Sequence, residues 1–545
     1  MDALTGHDAV VIGSGAGGAA AAWRMAEKGL NVLLLEAGPR FDPAIDYPLT
    51  NPDWERHDFP TKPGSRAEIL FGDLGPIPHD TEVPRSFNAV WGALSYGDRR
   101  QVGGRGIHHV QGIGGTTLRY VGEAHRFHPD TFALRRLTGH GVDWPFGLEE
   151  LAPYYALCEH LIGVAGADPH LPLPPHPLSP GAARLGRAAT MLGLGWQANT
   201  RAALGAPYDD RPACNYCANC SRGCPLGDKG SADVTFLRHA AGTGRLTVRA
   251  DTPVVRLIPA AGRRIAAVEA LVQGRLRRIE TPILMLCAGA VQTPRLLLAS
   301  ASTDYPEGVA NGSGQVGRNF METLSWSAAG LAPGLRNSHM GLPADAVCND
   351  FLAPLSRADG TGGFKLSHAT QEIGLVGPIS YGTRLITGFG SVFQSDLRDA
   401  FGSALAVGAV GEVVPDDRSR ITLSQDQNDA MGVALPVVSS VLTGDSLKRL
   451  SAMAQEGRTL LRAAGVTTIL EETSVADRFS STHLAGTCRM SSDAQTGVVD
   501  PHCRSHEIDN LFIADASVFP SSGGGAAPSL TIHALAVRAA DAAMA

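Results

Sequence analysis

No apolar run in this 545-residue chain is long enough to cross a bilayer, so no integral membrane segment is expected. Nothing at the start has the layout of a secretory signal, because strand-like sequence begins by Ala9. The expected location is therefore cytoplasmic, with export only alongside a signal-bearing partner. Basic charge is in deficit: 46 Lys and Arg face 53 Asp and Glu, a net charge of −7. That balance argues against a nucleic acid held by its phosphates. Repeats of fixed period and low-complexity tracts are absent. The nine cysteines make a poor disulfide framework, because they are odd in number and no signal precedes them. What remains is a soluble globular composition, 44% hydrophobic and 18% charged. The length suits two or more domains or one large interleaved fold.

The most informative segment is Val10-Val11-Ile12-Gly13-Ser14-Gly15-Ala16-Gly17-Gly18, followed by a helical run from Ala19 to Lys28 and then Val32-Leu33-Leu34-Leu35-Glu36. Strand, glycine turn, helix, strand and acid together form the fingerprint of a dinucleotide-binding unit. Gly13 permits the tight turn, Gly15 clears space for a pyrophosphate, and Gly18 lets helix and strand approach. The helix N-terminus offers free N–H groups to phosphate. Glu36 is placed to accept hydrogen bonds from a ribose diol. The fingerprint alone does not separate NAD from FAD.

Residues 41–99 read as a long excursion or lid. Gly112-Ile113-Gly114-Gly115-Thr116-Thr117 is a second glycine-rich turn, suited to close contact with a cofactor. A helix is expected over Leu148–Ile162 and strands near 246–250, 254–258, 266–272 and 283–290, with a helix from about Thr293. Cys214, Cys217, Cys220 and Cys224, with Pro225 after them, have the spacing of a bacterial ferredoxin run. Three of them could hold a [3Fe–4S] cluster, or all four a [4Fe–4S] cluster. A zinc ion, a pair of disulfides or reduced packing thiols are the competing readings.

Several further motifs occur in a recognisable order. They are Trp144-Pro145 with Leu151-Ala152-Pro153-Tyr154-Tyr155, Gly289-Ala290-Val291-Gln292-Thr293-Pro294-Arg295, Gly317-Arg318-Asn319, His483-Leu484-Ala485-Gly486-Thr487-Cys488-Arg489-Met490 and Asp515-Ala516-Ser517-Val518-Phe519-Pro520. With the two glycine turns, they make the chain resemble the glucose–methanol–choline (GMC) family of FAD-dependent oxidoreductases over nearly its whole length. The cysteine segment, with Gly223, Gly227, Lys229 and Ser231, is similar to that of the family's long-chain alcohol oxidases. The family's sugar-oxidising flavoproteins also carry a cysteine-rich segment, with different spacing.

The resemblance implies an α/β fold. A Rossmann-like FAD domain (7–40, 100–125, 208–322 and 480–545) interleaves with a substrate domain (126–207 and 323–479) on a mixed or antiparallel sheet with helices. It implies FAD as cofactor. Glu36 would bind the adenosine ribose, and Gly114, Gly115, Thr116 and Thr117 would run along flavin and pyrophosphate. Val255 would lie near the adenine, and Asp515 and Ala516 near the ribityl chain and flavin. Tyr120 stands where many members have Asn beside the flavin.

His483 would take the hydroxyl proton of an alcohol while the carbon-bound hydrogen leaves as hydride. The family's second polar residue is missing, because Ala527 occupies that place. Either His483 works alone or Ser529 or His533 fills in. The implied reaction is oxidation of a small primary or secondary alcohol to an aldehyde or ketone. Electrons would pass, through a cluster if one is bound, to a quinone, a cytochrome or another acceptor protein. The alternatives are a non-redox lyase with structural FAD, an oxygen-reducing alcohol oxidase, and the flavoprotein subunit of an electron-transfer complex.

Overall fold

A computed structural model describes residues 4–47, 107–476 and 480–545, with the backbone of short strands at Glu68–Phe71, Phe87–Asn88 and Gly92–Ala93. Most of the expected 41–99 excursion lies outside the described residues.

The opening fingerprint folds as strand Ala9–Ile12, helix Ala16–Glu27 and strand Val32–Leu35. Both strands are buried along their whole length and read as continuous apolar runs. Such strands belong in a parallel sheet covered on both faces. They form one, with Leu246–Arg249, Ile283–Leu286 and Leu511–Ile513. In order of appearance the strands lie 5-4-1-2-3, all parallel. The order reverses at Ala9–Ile12, and a crevice opens beyond the carboxyl ends of a sheet at such a reversal. Gly13 stands directly there. The helix expected from about Thr293 begins four residues earlier, spanning Gly289–Ala299 with Pro294 inside it. Pro294 cannot bond to the carbonyl four residues back. That carbonyl, on Ala290, instead accepts the Thr487 hydroxyl at 2.6 Å.

The second layer is an eight-stranded antiparallel sheet centred on Leu324–Leu331, Ala404–Gly411 and Phe364–His368. Its strands come from far apart in sequence, since Ile469–Ser474 pairs with Leu324–Leu331. Helices Gly444–Ala463 and Pro180–Met191 cover one face. Side chains alternate across a strand. On Phe364–His368, His368 meets Gly181 of the Pro180–Met191 helix, while Lys365 points the other way, to Glu123.

Candidate active site

The cofactor crevice is built of backbone. Gly13 has φ +90°, and a β-carbon on Gly18 would lie 1.8 Å from the Gly13 carbonyl oxygen. The helix above is N-capped by Gly15, which gives no side-chain cap, and no acid lies in its first turn. Its first N–H groups are therefore free for an anion. The second glycine turn packs against the first: a β-carbon on Gly115 would sit 2.7 Å from Gly15 Cα. Ser14 ties the two turns together. Its Oγ donates to Glu36 at 2.6 Å and accepts the Gly114 N–H at 3.1 Å. Within the buried second turn, Thr116 alone is exposed, and the Thr117 hydroxyl donates to the Gly114 carbonyl at 2.6 Å.

Glu36 ends its strand 6% exposed. Its carboxylate accepts Ser14 N–H, Ser14 Oγ–H and Gly38 N–H at 2.9, 2.6 and 3.0 Å. The Gly112 backbone acts on the same carboxyl, so both glycine turns hold the acid in place. Burial raises the carboxyl, and these donors oppose the rise. Asp515 is anchored likewise, by Gly289 N–H, the Thr293 hydroxyl and Ser517 N–H at 2.8, 2.6 and 2.8 Å. Val255 lies on the edge strand Val254–Ala260, reached through Thr252, whose N–H bonds the Glu36 carbonyl at 2.8 Å. The Tyr120 hydroxyl donates to Gly230 O at 2.7 Å, and burial raises the phenol, so it is protonated. These residues fit a bound dinucleotide: a small-residue cradle, uncapped N–H donors and anchored acids surround one crevice.

The two C-terminal motifs run side by side. Gly486, Cys488 and Met490 donate backbone N–H bonds to the carbonyls of Ala516, Ser517 and Val518 at 3.1, 2.7 and 2.9 Å. Met321 and Ala485 bond each other through both backbone groups. At the head of this ladder His483 adopts φ +53°. A non-glycine residue pays on the order of 1 kcal/mol for that conformation, which surrounding contacts must hold. The Thr323 hydroxyl supplies one, bonding the Thr482 carbonyl. His483, Thr323, Val410, Gly411, Ser522 and Gly525 line one small cavity. The His483 ring is partly open, yet the enclosing protein pushes it down to about 4, with Lys365 adding and Glu123 opposing. It is a neutral imidazole at physiological pH, able to take a proton.

Ala527 is 4% exposed and presents only a methyl group. Its N–H donates to Nδ1 of His125 at 3.0 Å, so His125 carries its proton on Nε2 and gives it to Asn199 Oδ1 at 2.7 Å. Burial and Lys365 push this ring down to about 4. Asn199 in turn donates to Glu123 Oε1 at 2.7 Å, and Lys365 closes an ion pair with the same oxygen. Burial would raise Glu123, but Lys365, His125 and Arg201 hold it well below the usual carboxylate range.

Sequence reasoning missed this group. One signal was available: the chain has five lysines, and one stands in the apolar run Phe364-Lys365-Leu366. It is 1% exposed. Glu412 was also missed. Its carboxylate takes Ser522 N–H, the Ser522 hydroxyl and Gly524 N–H, clamping the glycine turn that leads to Ala527.

Neither residue considered as a substitute for the missing polar group is brought to the His483 cavity. His533 bonds Ala16 O at 2.9 Å and stacks on Phe236 at 4.6 Å, in the seam between the first and last helices. Ser529 opens the last helix and does not line the cavity.

The expected cluster in the cysteine segment finds no support in the structure. Among the described residues, no group of three or more His, Cys, Asp or Glu side chains is placed to hold a metal ion. Cys217 is exposed, Cys220 is buried, and Cys214 and Cys224 lie between. All four are free thiols rather than disulfides. Cys224 Sγ donates to Asp228 Oδ1 at 2.9 Å, and burial with the Asp228 charge pushes that thiol up to about 12. Burial raises the other three as well. Metal and cluster binding needs converging thiolates. The residues as arranged fit neither an iron–sulfur cluster nor zinc, and no electron step is assigned to them. The segment is instead tied to the cofactor side by Lys229, whose ammonium donates to the carbonyls of Leu118, Tyr120 and Cys220 at 2.8, 2.9 and 2.8 Å.

A parallel sheet with a dinucleotide-type crevice at its switch point, joined to a large antiparallel sheet, is the architecture of a flavoprotein-type oxidoreductase. Comparison with known families agrees. Residues 176–324 and 415–536 match the N- and C-terminal models of the GMC oxidoreductases, and 8–47 match an FAD binding domain. The chain belongs to the GMC oxidoreductase family. It is 30% identical to paromamine 6'-oxidase of Streptomyces fradiae, over 98% of this chain and 91% of that one. It is 28% identical to 2-methyl-1,2-propanediol dehydrogenase of Mycolicibacterium austroafricanum, over 98% and 94%. It is 26% identical to the fructose dehydrogenase large subunit of Gluconobacter japonicus, over 98% and 97%. Among solved structures, formate oxidase superposes with TM-score 0.67 at 16% identity, covering 98% of this chain and 97% of that one. Pyridoxine 4-oxidase from Mesorbium loti gives 0.63 at 19%, covering 98% of each. At those identities the structures support the fold alone. Among the described residues, no helix is long and apolar enough to cross a membrane.

Proposed function

We propose that this chain oxidises a primary or secondary alcohol to an aldehyde or ketone, with His483 as the base. The observation that carries the reading is the backbone ladder joining the His483 motif to the Asp515–Ala516 turn, which sets a neutral imidazole on a cavity beside the nucleotide crevice. FAD, when bound, supplies a two-electron acceptor. Gly13, Gly15, Gly114, Gly115, Glu36 and Asp515 would hold it. His483 removes the hydroxyl proton as the carbon-bound hydrogen departs with its electron pair. Lys365 and Glu123 set the field around that imidazole, and His125 fixes the backbone at Ala527 without offering a free nitrogen. His483 therefore stands as the base without the second polar partner, which the methyl of Ala527 replaces.

Relatives named for a diol, for paromamine and for fructose support an alcohol as substrate. Their names include both oxidases and dehydrogenases, and one is a large subunit, which supports an external acceptor or a partner. Anaerobic mixing of the flavin-loaded protein with alcohols tests the reading. Bleaching of the yellow absorbance is expected, followed by recovery with oxygen or a quinone. A flavin that stays oxidised with every alcohol would favour the lyase alternative.

A further inference from the structure

Strand Ala404–Gly411 runs through the interior of the antiparallel sheet, and seven of its eight residues are buried. Val410 alone is partly open. Its neighbour Gly411 faces the Gly444–Ala463 helix, since a β-carbon there would lie 2.9 Å from Met453 Sδ. Side chains alternate across a strand, so Val410 points to the opposite face, with its cross-strand partner Lys365. There it lines the His483 cavity. The one opening in an otherwise closed strand thus lies beside the base.

The cavity measures about 10 Å³, room for about one water-sized group. Its other polar walls are already engaged. The Ser522 hydroxyl donates to Glu412 at 2.7 Å and accepts the Val413 N–H at 2.9 Å. The Thr323 hydroxyl bonds the Thr482 carbonyl, and the Glu322 carboxylate takes the Ser440 hydroxyl. The His483 imidazole bonds no described residue. A ligand oxygen in this space goes to His483, and the carbon that bears it lies against Val410.

That wall cannot retreat. Val410 is paired with Lys365 on one side and Ser325 on the other. Gly525 seats on it from the cavity side, because a β-carbon there would lie 2.2 Å from the Val410 carbonyl oxygen. A β-branched side chain has few rotamers by which to yield. A primary carbinol brings only hydrogens beside its oxygen. A secondary one brings a further carbon group, as large as the space itself.

Resting on the alcohol-oxidising reading above, we propose that Val410 is the specificity residue of this cavity and that it restricts oxidation to primary carbinols. The hydroxyl oxygen takes the space at His483, and the product is an aldehyde rather than a ketone. Val410 acts by its volume alone and makes or breaks no bond.

The test is rapid-reaction and steady-state kinetics of flavin-loaded wild type, Val410→Ala and Val410→Thr. The probes are matched pairs: n-butanol with its secondary isomer, and benzyl alcohol with its α-methyl derivative. The readout is the ratio of kcat/KM, primary over secondary, which is internal to each variant. In wild type the ratio is expected at about tenfold or more, the usual weight of one carbon group in a tight pocket. Val410→Ala should collapse it by raising kcat/KM for the secondary member. Val410→Thr keeps the shape of the wall and should keep the ratio.

Wild type that bleaches as fast with the secondary member, or faster, would overturn this inference alone. So would Val410→Ala with the wild-type ratio, or Val410→Thr with a collapsed one, since room would then not be what decides. Wild type that no alcohol bleaches would sink the functional reading and this one with it.

Discussion

Two regions of this protein look equally motif-rich in sequence and fold to opposite ends. The His483–Met490 and Asp515–Pro520 motifs are threaded together by backbone bonds, and Glu412 clamps the adjoining glycine turn. His483 and Ser522 from these segments line one cavity. The Cys214–Cys224 segment has denser spacing and a more specific pattern, yet its thiols are divided between surface and interior. Lys229 holds the segment at one carbonyl, that of Cys220, and Asp228 accepts from the Cys224 thiol. Spacing supplies candidate ligands. Only a backbone that turns them inward makes a site.

The sharpest way to break the comparison is at His483. Replacing it with Ala is expected to slow alcohol-driven flavin reduction by about 10²- to 10⁴-fold, the usual weight of a general base. Flavin content should stay unchanged, because the cradle is elsewhere. Stopped-flow bleaching and the absorption spectrum check both halves. A rate within tenfold of wild type would remove His483 from the chemistry.

Lys365→Met comes next. It leaves Glu123 buried without its main partner, which costs about 3 kcal/mol or more. Urea denaturation of the loaded protein measures it. A loss below about 1 kcal/mol would mean that Asn199 and Arg201 suffice for Glu123.

How much of this was legible beforehand divides along the same line. The nucleotide unit was readable because its rules are local. Val32–Leu35 is continuous apolar sequence, and Gly18 has one steric job. The Leu148–Ile162 helix appears with the bounds its pattern suggests. The start of the Gly289–Ala299 helix was misplaced because the carbonyl freed by Pro294 is satisfied by Thr487, nearly two hundred residues away. The Glu123, His125, Asn199 and Lys365 group was invisible for the same reason. Its members lie on three separate segments, at 123–125, 199 and 365, and only the fold brings them together. His125 shows the limit most clearly, since its partner is the backbone of Ala527, which no side-chain pattern encodes.

Acid sensitivity tests the burial of three rings, two near the Ala527 turn and the His483 cavity and one in the helix seam. Burial pushes His125, His483 and His533 each down to about 4. The unfolded chain binds those protons more readily than the folded one. Stability is therefore full above pH 6.5 and is lost as pH falls toward 4. For His533, 1% exposed, the gap is worth about 3 kcal/mol at most. The other two rings are partly open and contribute less. Melting temperature against pH should drop through that window, and His533→Asn should flatten part of the drop. An unaltered profile in the variant would show that His533 does not contribute.

The smallest effect is expected on the other side of the comparison. Cys217 is the one exposed thiol of its segment and bonds no described metal ligand set. Its Ser variant should keep stability within about 0.5 kcal/mol, as surface substitutions do. Flavin reduction should stay within twofold of wild type. Cys220→Ser is the contrasting arm, because Cys220 is 8% exposed and its own carbonyl anchors Lys229. Its backbone bond survives the change, so the cost is that of a polar hydroxyl in a thiol's place, about 1 kcal/mol. Iron, zinc and sulfide analysis of both variants beside wild type completes the test. Stoichiometric metal in wild type that disappears with Cys217 would show that the sulfurs converge, and the contrast between the two regions would collapse.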